Sequence, residues 1–99
     1  MLHIVNKSPF NHNGFKTCLK YAVAGSAVLL IEDGVYAGTR NTAVSGQLQV
    51  ALKSVPIYAL KSDVEARGMQ ERVLEGVQLV DYGGFVDLVA AHNTVQSWV

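Results

Sequence analysis

The chain has 99 residues, of which 49% are hydrophobic and only 16% charged, and its eight acidic side chains balance its eight basic ones. This length predicts a single domain, and the scattered lysines and arginines argue against direct binding of nucleic acid, which needs a clustered basic surface. We expect no membrane span and no signal peptide, because the sequence lacks the roughly 18 consecutive apolar residues of a spanning helix and has no charged and then apolar leader.

The first half of the chain alternates short apolar runs with helical spacing. Residues 2–6 are apolar and partly β-branched, which is typical of a strand. From Phe15 to Ala22 the apolar residues fall on one face of a helix. The unbroken apolar run 27–31 predicts a second strand that is covered on both faces, and residues 42–53 predict a second helix with an apolar residue in every turn.

The second half continues the same alternation. Residues 57–60 predict a third strand, and the capping-box spacing of Ser62 and Glu65 predicts a short helix over 63–67. A fourth strand is expected over 77–80. Asp81 then caps a fourth helix that ends near residue 92, and residues 94–99 add a short last strand. This order predicts the α/β class, a mostly parallel sheet of about five strands flanked by helices, in one domain spanning 1–99.

Several short segments, in this order and spacing, resemble the DsrH/TusB family over essentially the whole length. They are Leu2-His3 with Asn6-Lys7-Ser8-Pro9, Asp33-Gly34, Asp63-Val64-Glu65-Ala66-Arg67-Gly68, Val80-Asp81-Tyr82, Phe85-Val86 and Val95-Gln96-Ser97-Trp98. The resemblance implies a DsrEFH-like fold, in agreement with the alternation of strands and helices.

The resemblance also implies a function and a set of partners. It predicts a subunit of a sulfur-relay complex that transfers persulfide sulfur, either for 2-thiolation of the tRNA wobble uridine or for dissimilatory sulfur oxidation. The implied partners are DsrE/TusD-like and DsrF/TusC-like paralogous subunits, two copies of each chain forming a heterohexamer, and a DsrC/TusE-like sulfur carrier. The low charge content independently predicts exposed apolar area of the kind that meets partner chains.

Cys18 is the only cysteine, so no internal disulfide can form, and with no leader the expected location is the cytoplasm. By this resemblance Cys18 occupies the position of the cysteine found in DsrH-type members. Cys18 is therefore a possible persulfide acceptor, and the chain is at most a sulfurtransferase component. The principal sulfur-carrying cysteine is implied to lie on the DsrE/TusD-type subunit. Helical geometry favours a different role, because Cys18 shares its face with Phe15 and Leu19, while Lys16 and Lys20 lie on the opposite side.

The remaining polar residues offer no strong site. Asp33, Ser62 and Asp81 follow strands and are expected as turn and cap residues; the alternative is a homo-oligomeric binding protein that uses these acidic strand ends. The three histidines are far apart, so we predict no metal site. We expect no cofactor, because the chain has no phosphate-binding glycine motif. A structural assembly subunit without sulfur chemistry of its own also remains open. The aromatic residues Phe10, Phe15, Phe85 and Trp98 are expected to pack in the core or at an interface, and partner contacts are an equal alternative for Tyr82 and Trp98.

Overall fold

The structure, a computed structural model, describes residues 1–98. In this part of the chain five strands form one entirely parallel sheet: β1 (Leu2–Val5), β2 (Ala27–Leu30), β3 (Ile57–Leu60), β4 (Gln78–Val80) and β5 (Val95–Trp98). Their order across the sheet is β4-β3-β2-β1-β5, so that β1 lies between β2 and β5. The predicted α/β class and parallel sheet are confirmed; residue 99, the predicted end of the last strand, lies outside the described residues.

Four α-helices and two 3₁₀ segments connect these strands within residues 1–98. The α-helices are α1 (Gly14–Tyr21), α2 (Ser45–Leu52), α3 (Lys61–Ala66) and α4 (Tyr82–Ala91), and the 3₁₀ segments are Glu32–Gly38 and Gln70–Arg72. No helix among the described residues is long and apolar enough to cross a membrane.

The direction in which the chain crosses the sheet decides which face each helix covers. From β1 the chain adds β2, β3 and β4 on one side of β1, and it then crosses back to place β5 on the other side of β1. Because parallel crossovers are right-handed, the first connections share one face of the sheet and the returning helix α4 lies on the other. Helices therefore flank both faces, but the second face has α4 alone.

The two faces differ greatly in how much apolar surface they bury. The larger cluster packs α1, α2, α3 and the 3₁₀ segment Glu32–Gly38 against the sheet, with Phe15, Leu48 and Val64 at most 1% exposed. The smaller cluster buries only Leu2 and two residues of β2, and partly buried side chains complete it. Within residues 1–98 the second face of the sheet is thus covered by a single α-helix, α4.

Two helices differ in detail from the prediction. The second helix begins at Ser45 rather than near 42, because the Thr42 hydroxyl accepts a hydrogen bond from the Val44 amide at 3.3 Å and forms a turn before the helix. The third begins at Lys61, so Ser62 lies inside it and is not its cap. The predicted capping box is therefore wrong, whereas Asp81 does cap α4, accepting a hydrogen bond from the Gly84 amide at 2.8 Å.

Candidate functional site

The carboxyl ends of the central strands carry acidic side chains that the chain itself satisfies. Asp33 Oδ1 accepts hydrogen bonds from Arg67 Nε at 3.0 Å and Nη2 at 2.9 Å. The Asp63 carboxylate accepts one from the Glu32 amide at 2.7 Å, which holds Glu32 in a left-handed conformation with φ of 49°. Since these groups hold adjacent loops together, we read Asp33 and Asp63 as structural residues, and they leave little for a ligand to bind.

The first turn after β2 is fixed by steric contact as well. A Cβ atom added at Gly34 would lie 2.0 Å from the carbonyl oxygen of Val5, so only glycine fits where this segment crosses the end of β1. Ser62, the third predicted turn residue, is exposed on α3. The turn after β2 is therefore packed closely against the end of β1.

Cys18 is on the buried face of α1. Its side chain is 0% exposed in the larger cluster, and this burial raises the pKa of the thiol to about 12. Lys16 and Lys20 are exposed on the other side of the helix and do not offset the cost of removing a thiolate from water. A protonated, enclosed thiol is a poor nucleophile, so the geometry supports a packing role for Cys18.

A histidine that the sequence did not single out forms a stacked aromatic group. His3, 1% exposed on β1, accepts a hydrogen bond at Nδ1 from the Trp98 indole at 3.1 Å. Trp98 stacks on His3 and on Tyr21, with ring centroids 6.1 and 5.8 Å apart. Burial first, and the positive N-terminus second, lower the pKa of His3, so the imidazole is neutral and Nδ1 remains an acceptor.

The other two histidines lie elsewhere. His12 is exposed in the loop before α1, and His92 donates from Nδ1 to the Leu88 carbonyl at 2.8 Å at the end of α4. Among residues 1–98 no three histidine, cysteine, aspartate or glutamate side chains come together in a way that could hold a metal ion.

The most conspicuous surface feature is α4. None of its ten residues is buried, although Asp87 is its only charged residue. Tyr82, Val86 and Val89 follow one another at helical spacing and are 75%, 48% and 37% exposed. We call these three residues the α4 stripe. An apolar helix is expected to be buried on its apolar sides, so a stripe of this kind indicates a surface that another polypeptide covers.

Comparisons with known proteins cover nearly the whole chain. The family described as DsrH like protein matches residues 7–95. Protein TusB of Photorhabdus laumondii subsp. laumondii is 36% identical over 98 residues, covering 99% of this chain and 100% of the relative, and Protein TusB of Escherichia coli strain SMS-3-5 is 33% identical with the same coverage. Among solved structures, the ychN protein from E. coli superimposes with a TM-score of 0.81 at 18% identity, covering 97% of each chain. MTH1491 from Methanobacterium thermoautotrophicum superimposes with a TM-score of 0.69 at 19% identity, covering 97% of this chain and 95% of the other. These two likenesses concern the fold.

Proposed function

Because the chain belongs to the DsrH-like protein family, we propose that it is a subunit of a sulfur-relay complex that serves 2-thiolation of the tRNA wobble uridine. The family match over residues 7–95 is the observation that carries this proposal. The two curated relatives carry the name TusB, which favours the tRNA branch over dissimilatory sulfur oxidation. We further propose that residues 1–99 act as one domain in the cytoplasm.

The exposed apolar helix supports an assembly role. In this proposal the α4 stripe packs against DsrE/TusD-like or DsrF/TusC-like paralogues in a heterohexamer. Burying Tyr82, Val86 and Val89 would remove their apolar area from water, which stabilises association by about 25 cal/mol for each Å². The low charge content of α4 fits such a contact, because the centres of interfaces are depleted of charged residues.

We propose that Cys18 contributes to the fold of this subunit and that a cysteine of the DsrE/TusD-like paralogue carries the sulfur to a DsrC/TusE-like carrier. The full burial and raised pKa of the Cys18 thiol support this division of roles. Persulfide transfer to Cys18 itself makes the opposite prediction, namely that the intact folded chain gains the mass of one sulfur atom when it is incubated with a persulfide donor.

The assembly can be tested by co-expression of this chain with the two paralogues, followed by size-exclusion chromatography with mass determination. We expect a complex that contains all three chains, and Val86→Glu should release this chain from it. Val50→Glu is the matched control, because Val50 is also exposed, at 66%, but lies on α2 across the sheet. If the chain forms only a homo-oligomer in the presence of both paralogues, the assembly proposal is wrong.

The pathway is tested separately in a bacterial strain that lacks its own TusB. Expression of this chain together with its paralogues should restore 2-thiouridine in tRNA, measured by mass spectrometry of digested nucleosides. The Val86→Glu variant should fail to restore it, and Val50→Glu should succeed. Full assembly without any restoration of 2-thiouridine would contradict the tRNA branch while leaving the subunit role intact.

A further inference from the structure

Two arginines far apart in sequence face each other across a short antiparallel contact. Thr39 and Val73 form an antiparallel bridge. On one side of this bridge the Arg40 amide donates a hydrogen bond to the Arg72 carbonyl at 2.8 Å. On the other side the Leu74 amide donates one to the Gly38 carbonyl at 2.8 Å. The first of these bonds holds the backbones of Arg40 and Arg72 next to each other, and both residues line the same cleft.

This arrangement is unfavourable for the protein alone. Two positive charges held close together repel each other, and like-charged pairs on neighbouring segments are destabilising. Within residues 1–98 the structure pairs only Arg67 with a carboxylate, and both Arg40 and Arg72 are exposed. The chain thus places two cations together, and the carboxylates in the described part of the chain leave both unpaired.

Arg40 and Arg72 both line a cleft of about 440 Å³. Phe10, which is 52% exposed, and Tyr36 supply aromatic surface there, and the buried Met69 contributes to the lining. Among the described residues 1–98, no aspartate or glutamate lines the cleft. A volume of this size falls in the range of roughly 300–1,000 Å³ that small-molecule sites occupy, and it is larger than a bare oxyanion needs.

We propose that this cleft binds a small organic anion, whose phosphate or carboxylate group is held by Arg40 and Arg72 while a flat ring lies against Phe10. The planar guanidinium fork matches the oxygens of carboxylates and phosphates, and two adjacent forks favour a group with a full negative charge. The aromatic side chains favour a ligand with a ring over an aliphatic acid. The absence of acidic lining residues makes a metal ion or an organic cation unsuitable.

The site goes beyond the sulfur-relay role and does not depend on it, because it uses neither the α4 stripe nor Cys18. It is tested by isothermal titration of the full chain with four probes: adenosine monophosphate, benzoate, inorganic phosphate and uncharged adenosine. We expect saturable binding of adenosine monophosphate or benzoate, and the tighter of the two identifies the phosphate or the carboxylate as the recognised group. Adenosine and inorganic phosphate should each bind at least tenfold more weakly than the preferred probe.

Variants separate binding from structure. Arg40→Gln and Arg72→Gln should each weaken the preferred probe at least tenfold, whereas Lys53→Gln, which removes one exposed cation from the end of α2, should leave it unchanged. Without ligand, Arg72→Gln should raise the melting temperature by roughly 1–5 °C, since it relieves the opposition of like charges.

The proposal is overturned by any of four results. Neither adenosine monophosphate nor benzoate binds saturably, or adenosine or inorganic phosphate binds as tightly as the preferred probe, or both glutamine variants bind as well as the wild type. The fourth is a lower melting temperature for Arg72→Gln, which would make this guanidinium a structural group.

Discussion

The enclosure of Cys18 predicts that the folded chain reacts very slowly with thiol reagents. Only the thiolate attacks such reagents, and burial raises the pKa of this thiol from 9.0 to about 12. At pH 8 this rise alone lowers the thiolate fraction by about a thousandfold. The side chain is also 0% exposed, so contact with the reagent requires opening of the core and slows the reaction further.

The assay is alkylation by iodoacetamide at pH 8, followed by intact mass, in buffer and in concentrated urea. Cys18 is the only cysteine, so the mass increase reports on it directly. A double variant, Cys18→Ala with Ser62→Cys, is the matched control, because it moves the thiol to an exposed position on α3. The native wild type should react at least a thousandfold more slowly than the same chain in urea, and the double variant should react at similar rates in both.

A native rate within tenfold of the rate in urea would refute this reasoning about Cys18. It would mean that α1 opens frequently, or that the thiol lies at a site from which it can receive sulfur. Slow alkylation of the double variant would instead indicate that position 62 is shielded, and the comparison would then need another exposed position.

Two further predictions concern stability. The lowered pKa of His3 means that the unfolded chain binds a proton at a higher pH than the folded chain does, so stability is complete above about pH 6.5 and falls as the pH falls toward the lowered pKa. Urea titrations monitored by Trp98 fluorescence should show that the free energy of unfolding falls as the pH falls below about 6.5. His3→Gln should reduce this dependence on pH, and His12→Gln should not. An equal dependence on pH in both variants would contradict the prediction. Gly34→Ala should lower the free energy of unfolding by about 3 kcal/mol or more, because its Cβ meets a backbone oxygen at 2.0 Å. Gly46→Ala, in open space on α2, should raise it by about 0.5–1 kcal/mol. Similar unfolding midpoints for the two variants would count against the steric argument.

The sheet could be predicted from the sequence because its signals are local. The unbroken apolar run at β2 requires cover on both faces, and strands separated by helical segments require parallel crossovers. The helical spacing around Cys18 likewise points its thiol toward the same side as Phe15, and both are buried. In these cases the side-chain pattern and the tertiary structure agree.

The role of Asp63 and the arginine cleft could not be predicted in this way, because they depend on partners distant in sequence. Asp63 is used by the Glu32 amide from another loop, which a local capping motif does not reveal. Arg40 and Arg72 become neighbours only through the bridge between Thr39 and Val73. Nothing in either local sequence indicates that pairing.

The position of β1 in the sheet has a consequence for how the chain folds during synthesis. β1 pairs on one side with β2, which follows soon after it, and on the other with β5, where Leu2 is matched to Val95. Ribosomes make β1 long before β5, so one hydrogen-bonding edge of this interior strand stays open during most of translation. Contacts so distant in sequence form late, and until they do an open apolar strand is a place where chaperones or other nascent chains can attach.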